Sequence, residues 1–167
     1  FMKAKHSILN QDEIKHKIRR IAYQIYESNV DEKEIIIAGI ASNGYILAQK
    51  LEKELQEISP LKTILGKVVI NKKSPLDPII VSLKPEEYQN KSLILVDDVL
   101  NSGSTLIYGV RYFLDVPIKN FKTAVLVDRN HKRYPVKADF KGLSLSTSLS
   151  ETVKVIFEKD HERVELS

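Results

Sequence analysis

SLILVDDVLNSGST, residues Ser92 to Thr105, is the stretch whose reading decides the fold. Leu93 to Val96 is an unbroken apolar run, the pattern of a strand covered on both faces. Asp97 and Asp98 follow at the expected carboxyl end of that strand. Asn101-Ser102-Gly103-Ser104-Thr105 is small, polar and rich in hydroxyls, and Leu106, Val110, Phe113 and Leu114 then recur at helical spacing. The order is buried strand, paired carboxylates, small-residue loop, helix.

A loop that opens a helix presents unpaired backbone N–H groups and the positive end of the helix dipole, which suits an anion. Gly103 lets a backbone approach that anion closely, and Ser102, Ser104 and Thr105 add hydroxyl donors. Carboxylates meet the opposite need, accepting hydrogen bonds from sugar hydroxyls and attracting Mg²⁺. Hydroxyls on Asp97 and Asp98 with a phosphate in the next loop make one phosphorylated sugar. An acid pair alone also starts turns, and Ser-Gly alone caps helices. The whole string in this order favours a ligand loop. It contains neither GxxxxGK[ST] nor the three glycines of a dinucleotide fingerprint.

Outward from this stretch, apolar strands alternate with amphipathic helices. Asn10 reads as a helix N-cap with Glu13 as its capping-box partner, ahead of an apolar face of Ile14, Ile18, Ile21, Ala22 and Ile25. Lys15, His16, Arg19, Arg20 and Tyr23 fall on the other sides. Glu34 to Ala38 is a short buried strand, Gly39 to Gly44 a tight connection, and Ile46, Leu47, Leu51 and Leu55 the face of a second helix. Leu61 to Ile70 reads as a strand and Asn71 to Pro78 as a hairpin tip carrying Lys72 and Lys73. Ile79 to Leu83 is extended, and Lys84 to Asn90 is a polar connection. Phe121 to Val127 is another strand ending at Asp128-Arg129, and Val153 to Phe157 and Arg163 to Leu166 alternate like final strands. This alternation implies an α/β fold with a mainly parallel sheet and ligand loops at its carboxyl edge. The candidate loops, at 39–44, 97–105 and 128–129, all follow strands.

The central string resembles the ribose-phosphate signature of the type I phosphoribosyltransferases. That resemblance implies that Asp97 and Asp98 hold the ribose of phosphoribosyl pyrophosphate (PRPP), with Mg²⁺, and that Asn101, Ser102, Gly103, Ser104 and Thr105 hold its 5′-phosphate. The family usually has Thr where Ser102 stands. The segment AVLVDRNHKRYPVKADFKGLSLSTS, Ala124 to Ser148, resembles the pyrimidine-operon attenuation branch of the family, which combines uracil phosphoribosyltransferase activity with binding to pyrimidine messenger RNA. The matching features are VLVDR, His131, Pro135, Ala138 to Phe140, Gly142 and Thr147-Ser148. The likeness implies a pyrophosphate cradle at Ala41, Ser42, Asn43 and Gly44, and a mobile hairpin bearing Lys72 and Lys73. It also implies substrate contacts from Asp128 and Arg129, and a hood over the base near Ser146 and Thr147. The implied reaction is uracil + PRPP giving UMP + pyrophosphate, in one phosphoribosyltransferase-like domain over residues 1–167 with a small hood, in a homo-oligomer such as a dimer. In the first loop, Ala41 and Asn43 stand where this branch usually carries Lys or Arg, which implies slow turnover and a gain of rate from Asn43→Arg. The alternative function is an RNA-binding, nucleotide-sensing regulator with Arg19, Arg20, Lys132, Arg133 and Lys137 as its basic face. A receiver-like signalling domain also uses carboxylates and Mg²⁺, but its acid pair belongs near the first strand.

Composition bounds these readings. The 167 residues are 43% hydrophobic and 29% charged, with net charge +4, which suits a globular chain with an ordinary core and admits an acidic ligand. Cysteine is absent, which excludes disulfides and thiolate metal sites and fits a cytoplasmic protein. No apolar run approaches the roughly 20 residues of a membrane span, and no signal peptide is visible. Phe1 ahead of Met2 reads as an added residue. The four histidines, His6, His16, His131 and His161, lack zinc-site spacing.

Overall fold

A computed structural model describes residues 5–167; Phe1 and Met2 lie outside the described residues. The elements run β1 (His6–Leu9), α1 (Gln11–Glu27), β2 (Glu34–Ile40), α2 (Asn43–Ile58), β3 (Lys62–Val69), β4 (Ile80–Val81) and α3 (Pro85–Tyr88). They continue with β5 (Ser92–Leu100), α4 (Ser104–Phe113), β6 (Asn120–Arg129), β7 (Phe140–Leu145), β8 (Val153–Ile156) and β9 (Arg163–Leu166). The main sheet has the order β4-β3-β2-β5-β6-β7, and only β4 is antiparallel to its neighbour. The second sheet, β1-β9-β8, is antiparallel and unites the chain's two terminal regions.

The central strands carry unbroken apolar runs, Ile35 to Ala38 in β2, Leu93 to Val96 in β5 and Ala124 to Val127 in β6, because both faces of the sheet are covered there. Ile35, Ile37, Ile94, Val96, Ala124 and Leu126 join one core with α1 and α2, while Ile36, Ala38, Leu93, Leu95 and Val125 join the other beside α4. This two-residue alternation assigns successive acidic residues to opposite faces as well: Asp97 continues the Leu93-Leu95 side and Asp98 the Ile94-Val96 side. α4 reaches the sheet closely at Gly109, where an added Cβ would lie 2.9 Å from Leu95 Cδ2.

α1 starts at Asn10, whose side chain accepts from the Glu13 amide at 2.9 Å, while the Glu13 carboxylate accepts from the Asn10 amide at 3.1 Å. Such a box contributes about 1 kcal/mol. Its expected apolar face, Ile14, Ile18, Ile21, Ala22 and Ile25, is buried throughout.

Several expected boundaries shift. β5 does not stop at Val96 but runs through both acids to Leu100, because Asp97 and Val99 pair with Val125 and Val127 of β6. Gly39 and Ile40 belong to β2 and Gly44 to α2, so the connection between them contracts to Ala41 and Ser42, joined by a cis peptide bond. The polar connection after residue 83 contains α3, whose Tyr88 is buried edge-on against Phe113 with ring centroids 5.0 Å apart. β1 and β7 form where no strand is expected from pattern. No helix among the described residues is long and apolar enough to cross a membrane.

Candidate active site

The site is built at the carboxyl edge of the sheet. β5 leaves the sheet at Leu100, bends through Asn101 to Gly103, and enters α4 at Ser104. Gly103 is the N-cap with φ of 91°, a left-handed conformation that disfavours a side chain, and an added Cβ there would lie 2.6 Å from Val136 Cγ1. The segment after β6 holds this loop in place: the Arg133 and Tyr134 amides both donate to the Ser102 carbonyl, at 2.8 and 3.1 Å. Asn101 to Thr105 line one cavity together with Asp97 and Lys72. Asp97, the loop expected to hold a phosphate and one hairpin lysine therefore meet in space.

Asp97 is 3% exposed. Burial first, and the neighbouring Asp98 charge second, push its carboxyl up to about 7, with Lys72 opposing the shift. Lys72 Nζ lies 3.4 Å from Asp97 Oδ1 and 4.0 Å from Asp98 Oδ1, so it serves as counter-cation to both. Lys73 differs: its backbone amide caps the hairpin by donating to Asn71 Oδ1 at 3.1 Å.

On the other face, Asn43 Nδ2 donates to Asp98 Oδ2 at 3.2 Å and to the Val155 carbonyl of β8 at 2.9 Å. Asn43 thus ties the acid pair to the small sheet. Gly44 gives α2 its close approach, since a Cβ there would stand 2.8 Å from the Val96 carbonyl oxygen and 2.9 Å from Asp97 Cα. The engaged Asn43 amide changes the expectation for Asn43→Arg, because an arginine there first breaks the link to Val155.

Arg129, at the end of β6, spreads its guanidinium between two segments. Nη1 donates to Asn101 Oδ1 at 3.0 Å, Nε and Nη2 donate to Thr147 Oγ1 at 3.1 and 2.8 Å, and Nη2 also donates to the Glu151 carbonyl at 2.6 Å and the Ser148 carbonyl at 3.3 Å. Asn130 and His131 extend this grip: the Thr147 amide donates to Asn130 Oδ1 at 3.0 Å, and His131 Nε2 bonds the Thr147 carbonyl. Ser146 Oγ lies 3.5 Å from Asn130 Nδ2. Asp128 is buried and meets Lys132 Nζ at 2.9 Å and Lys141 Nζ at 3.4 Å. The roles of Asn130 and Glu151 had no sequence signal, because they depend on contacts 17 to 22 residues away.

Of the five cations named for an RNA face, four make side-chain bonds within the chain. Arg19 pairs with Glu54 at 2.8 Å and lies over the Tyr23 ring, facing α2. Arg20 donates to the Gly142 carbonyl at 2.7 Å and so fastens α1 to β7. Lys132 is paired with Asp128, and Lys137 with Asp139 at 3.6 Å. Arg133 contributes its backbone to the phosphate-loop candidate.

Comparison with known proteins identifies the family and the fold. A family model described as the phosphoribosyl transferase domain matches residues 5–158. The chain is 34% identical over 164 residues to the Bifunctional protein PyrR of Bacillus pumilus (strain SAFR-032), covering 92% of this chain and 91% of that protein. It is 36% identical over 160 residues to the protein of the same name from Brevibacillus brevis, covering 89% and 87%. Among solved structures, the hypoxanthine phosphoribosyl transferase of Trypanosoma cruzi superposes with a TM-score of 0.78 at 14% identity, covering 98% of this chain and 91% of that one. A hypoxanthine-guanine phosphoribosyltransferase of Bacillus anthracis gives 0.69 at 18% identity, covering 86% and 84%. These last likenesses establish the fold.

Proposed function

The chain belongs to the phosphoribosyltransferase family and is a glycosyltransferase of that type; from that premise we propose that it joins uracil to the ribose 5-phosphate of PRPP, releasing pyrophosphate and forming UMP. The observation that carries this reading is the single cavity in which Asp97, Lys72 and the loop from Asn101 to Thr105 converge. The amino end of α4 and the loop hydroxyls suit the 5′-phosphate. Asp97 and Asp98 accept the ribose hydroxyls. As the bond from the sugar to pyrophosphate breaks, positive charge develops on the sugar, as in glycoside chemistry, and the acid pair stabilises it. Thr147 and Ser146, on the segment gripped by Arg129 to His131, supply the base side of the site, and residues 41–44 the pyrophosphate side. The whole chain acts as one catalytic unit, in a homo-oligomer.

The donor set fits Mg²⁺ brought with PRPP. Among the described residues there is no cluster of three metal-binding side chains. A two-carboxylate site already facing a lysine cation suits an ion held mainly by substrate oxygens. Asp97 and Asp98 would hold it, and it would offset charge on the departing pyrophosphate. Catalysis then rests chiefly on positioning and electrostatics.

The preference for uracil follows from the relatives named PyrR and from the resemblance of Ala124 to Ser148 to the pyrimidine branch; the solved neighbours are purine enzymes. RNA binding is a secondary property in this reading, because four of the five cations named for it, Arg19, Arg20, Lys132 and Lys137, already bond within the chain. The test is product formation from PRPP with uracil, hypoxanthine and guanine in parallel. UMP as the main product supports the reading, and a purine nucleotide as the main product overturns it.

A further inference from the structure

The Arg129 guanidinium is heavily engaged by protein acceptors. All three of its nitrogens donate, and the acceptors lie on two segments far apart in sequence. One arm reaches Asn101, the first residue after β5 and the start of the phosphate-loop candidate. The other arm reaches Thr147, Ser148 and Glu151, on the hood side. Thr147 is 7% exposed, so its hydroxyl has little water to fall back on and takes two of the guanidinium's bonds. A planar fork of fixed geometry transmits position between its two ends better than a flexible chain does.

We propose that Arg129 is a positioning residue rather than a substrate contact, a rigid tie that couples the phosphate end of the site to the nucleobase end, so that each end is pre-formed by a ligand at the other. This rests on the reading of the site as a nucleotide site with its phosphate at residues 101–105 and its base beside 146–147. The coupling has a thermodynamic meaning: ordering one loop lowers the cost of ordering the second, and the effect is reciprocal. A ligand that spans both ends, UMP, gains from the tie. A ligand that fills only the phosphate end, ribose 5-phosphate, does not.

The test is calorimetric titration of the whole chain with UMP and with ribose 5-phosphate. In the parent, UMP binds more tightly, and the ratio of the two dissociation constants measures what the base end adds. Arg129→Lys should lower that ratio about tenfold, within the usual range of site-to-site coupling. Asn101→Ala cuts the phosphate-side arm, whereas Thr147→Val removes two bonds of the base-side arm and leaves those to the Ser148 and Glu151 carbonyls. Asn101→Ala should lower the ratio as far as Arg129→Lys does, Thr147→Val should lower it by less, and adding Thr147→Val to Asn101→Ala should lower it no further, because a tie cut once is cut. Equal weakening of both ligands, or single-variant losses that add in the double variant, would overturn the tie and leave Arg129 as ordinary scaffold. Failure of the parent to bind either ligand would instead refute the proposed function, which separates the two outcomes. Melting temperatures of the three single variants identify any that do not fold, and the conservative Lys and Val replacements keep the comparison available.

Discussion

The two strand-to-helix connections that flank the acid pair are built to opposite designs. The one after β5 is open: residues 101–103 leave the sheet, Gly103 takes a left-handed turn, and amides, hydroxyls and a helix start surround a cavity. The one after β2 is closed: it is only Ala41 and Ser42 long, Gly44 presses α2 onto Val96 and Asp97, and the Asn43 side chain is spent on Asp98 and Val155. The first has donors to give a ligand. The second has its donor turned inward and no cationic side chain of its own. In the proposed reading, the contrast teaches that this chain would keep the binding chemistry for a sugar phosphate while its charge for a departing pyrophosphate would come from across the site, from Lys72. Cationic stabilisation matters most when the leaving group gains charge, so this arrangement favours nucleotide binding over turnover.

The largest effect that sharpens the comparison is expected from the acids both connections share. Asp97→Asn with Asp98→Asn should reduce nucleotide formation by a factor on the order of 100 or more. It should weaken PRPP in calorimetry while circular dichroism stays unchanged. Unchanged PRPP affinity would remove the acids from the site.

Next in size is the open connection itself. Gly103→Ala forces a side chain into a left-handed conformation and against Val136. A loss of roughly 1–3 kcal/mol in denaturant unfolding is expected, together with weaker ribose 5-phosphate binding. Full stability and affinity in that variant would contradict the assigned loop geometry.

A pH series tests the burial of the acid pair. Asp97 is raised from its ordinary 3.8 to about 7, by burial first and by Asp98 second. Between those values the folded chain holds a proton that the unfolded chain has released. The unfolded state thus binds fewer protons, and this group's contribution makes stability fall as pH rises across that window. Asp97→Asn should flatten that fall, measured as unfolding free energy against pH with Asp98 and Lys72 retained. An equally steep fall in the variant would place the titration elsewhere.

The smallest effect concerns RNA. With Arg19, Lys132 and Lys137 paired to carboxylates and Arg20 bonded to backbone, binding to a pyrimidine leader RNA should be weak and steeply salt-dependent. Anisotropy titrations at several salt concentrations read it directly. Tight, sequence-selective binding at physiological salt would reverse the ranking of enzyme over regulator.

What was legible in the sequence was local. α1 announced itself through Asn10, Glu13 and a five-residue apolar face, all within one helix. The acid pair, the loop after it and α4 were legible because strand, loop and helix are contiguous there. The course of β5 beyond Val96 was not, because two acids inside a strand are set by pairing with Val125 and Val127. β7 was missed because FKGLSL shows no clean alternation and becomes a strand only by lying parallel to β6. The link of Asn43 to β8 was not legible, because its acceptor on Val155 lies 112 positions away. The bonds of Arg129 to Thr147 and to the Glu151 carbonyl were not legible, because an arginine at the end of a strand says nothing of the carbonyls and hydroxyls that fold around it.

The most direct measurement of the central claim is the turnover number for UMP formation at saturating uracil, PRPP and Mg²⁺. An intact sugar-phosphate half with a cation-poor pyrophosphate half predicts real but slow catalysis, below about 1 s⁻¹ against the roughly 10 s⁻¹ typical of enzymes. A rate at or above that typical value, or no UMP at all, would contradict it.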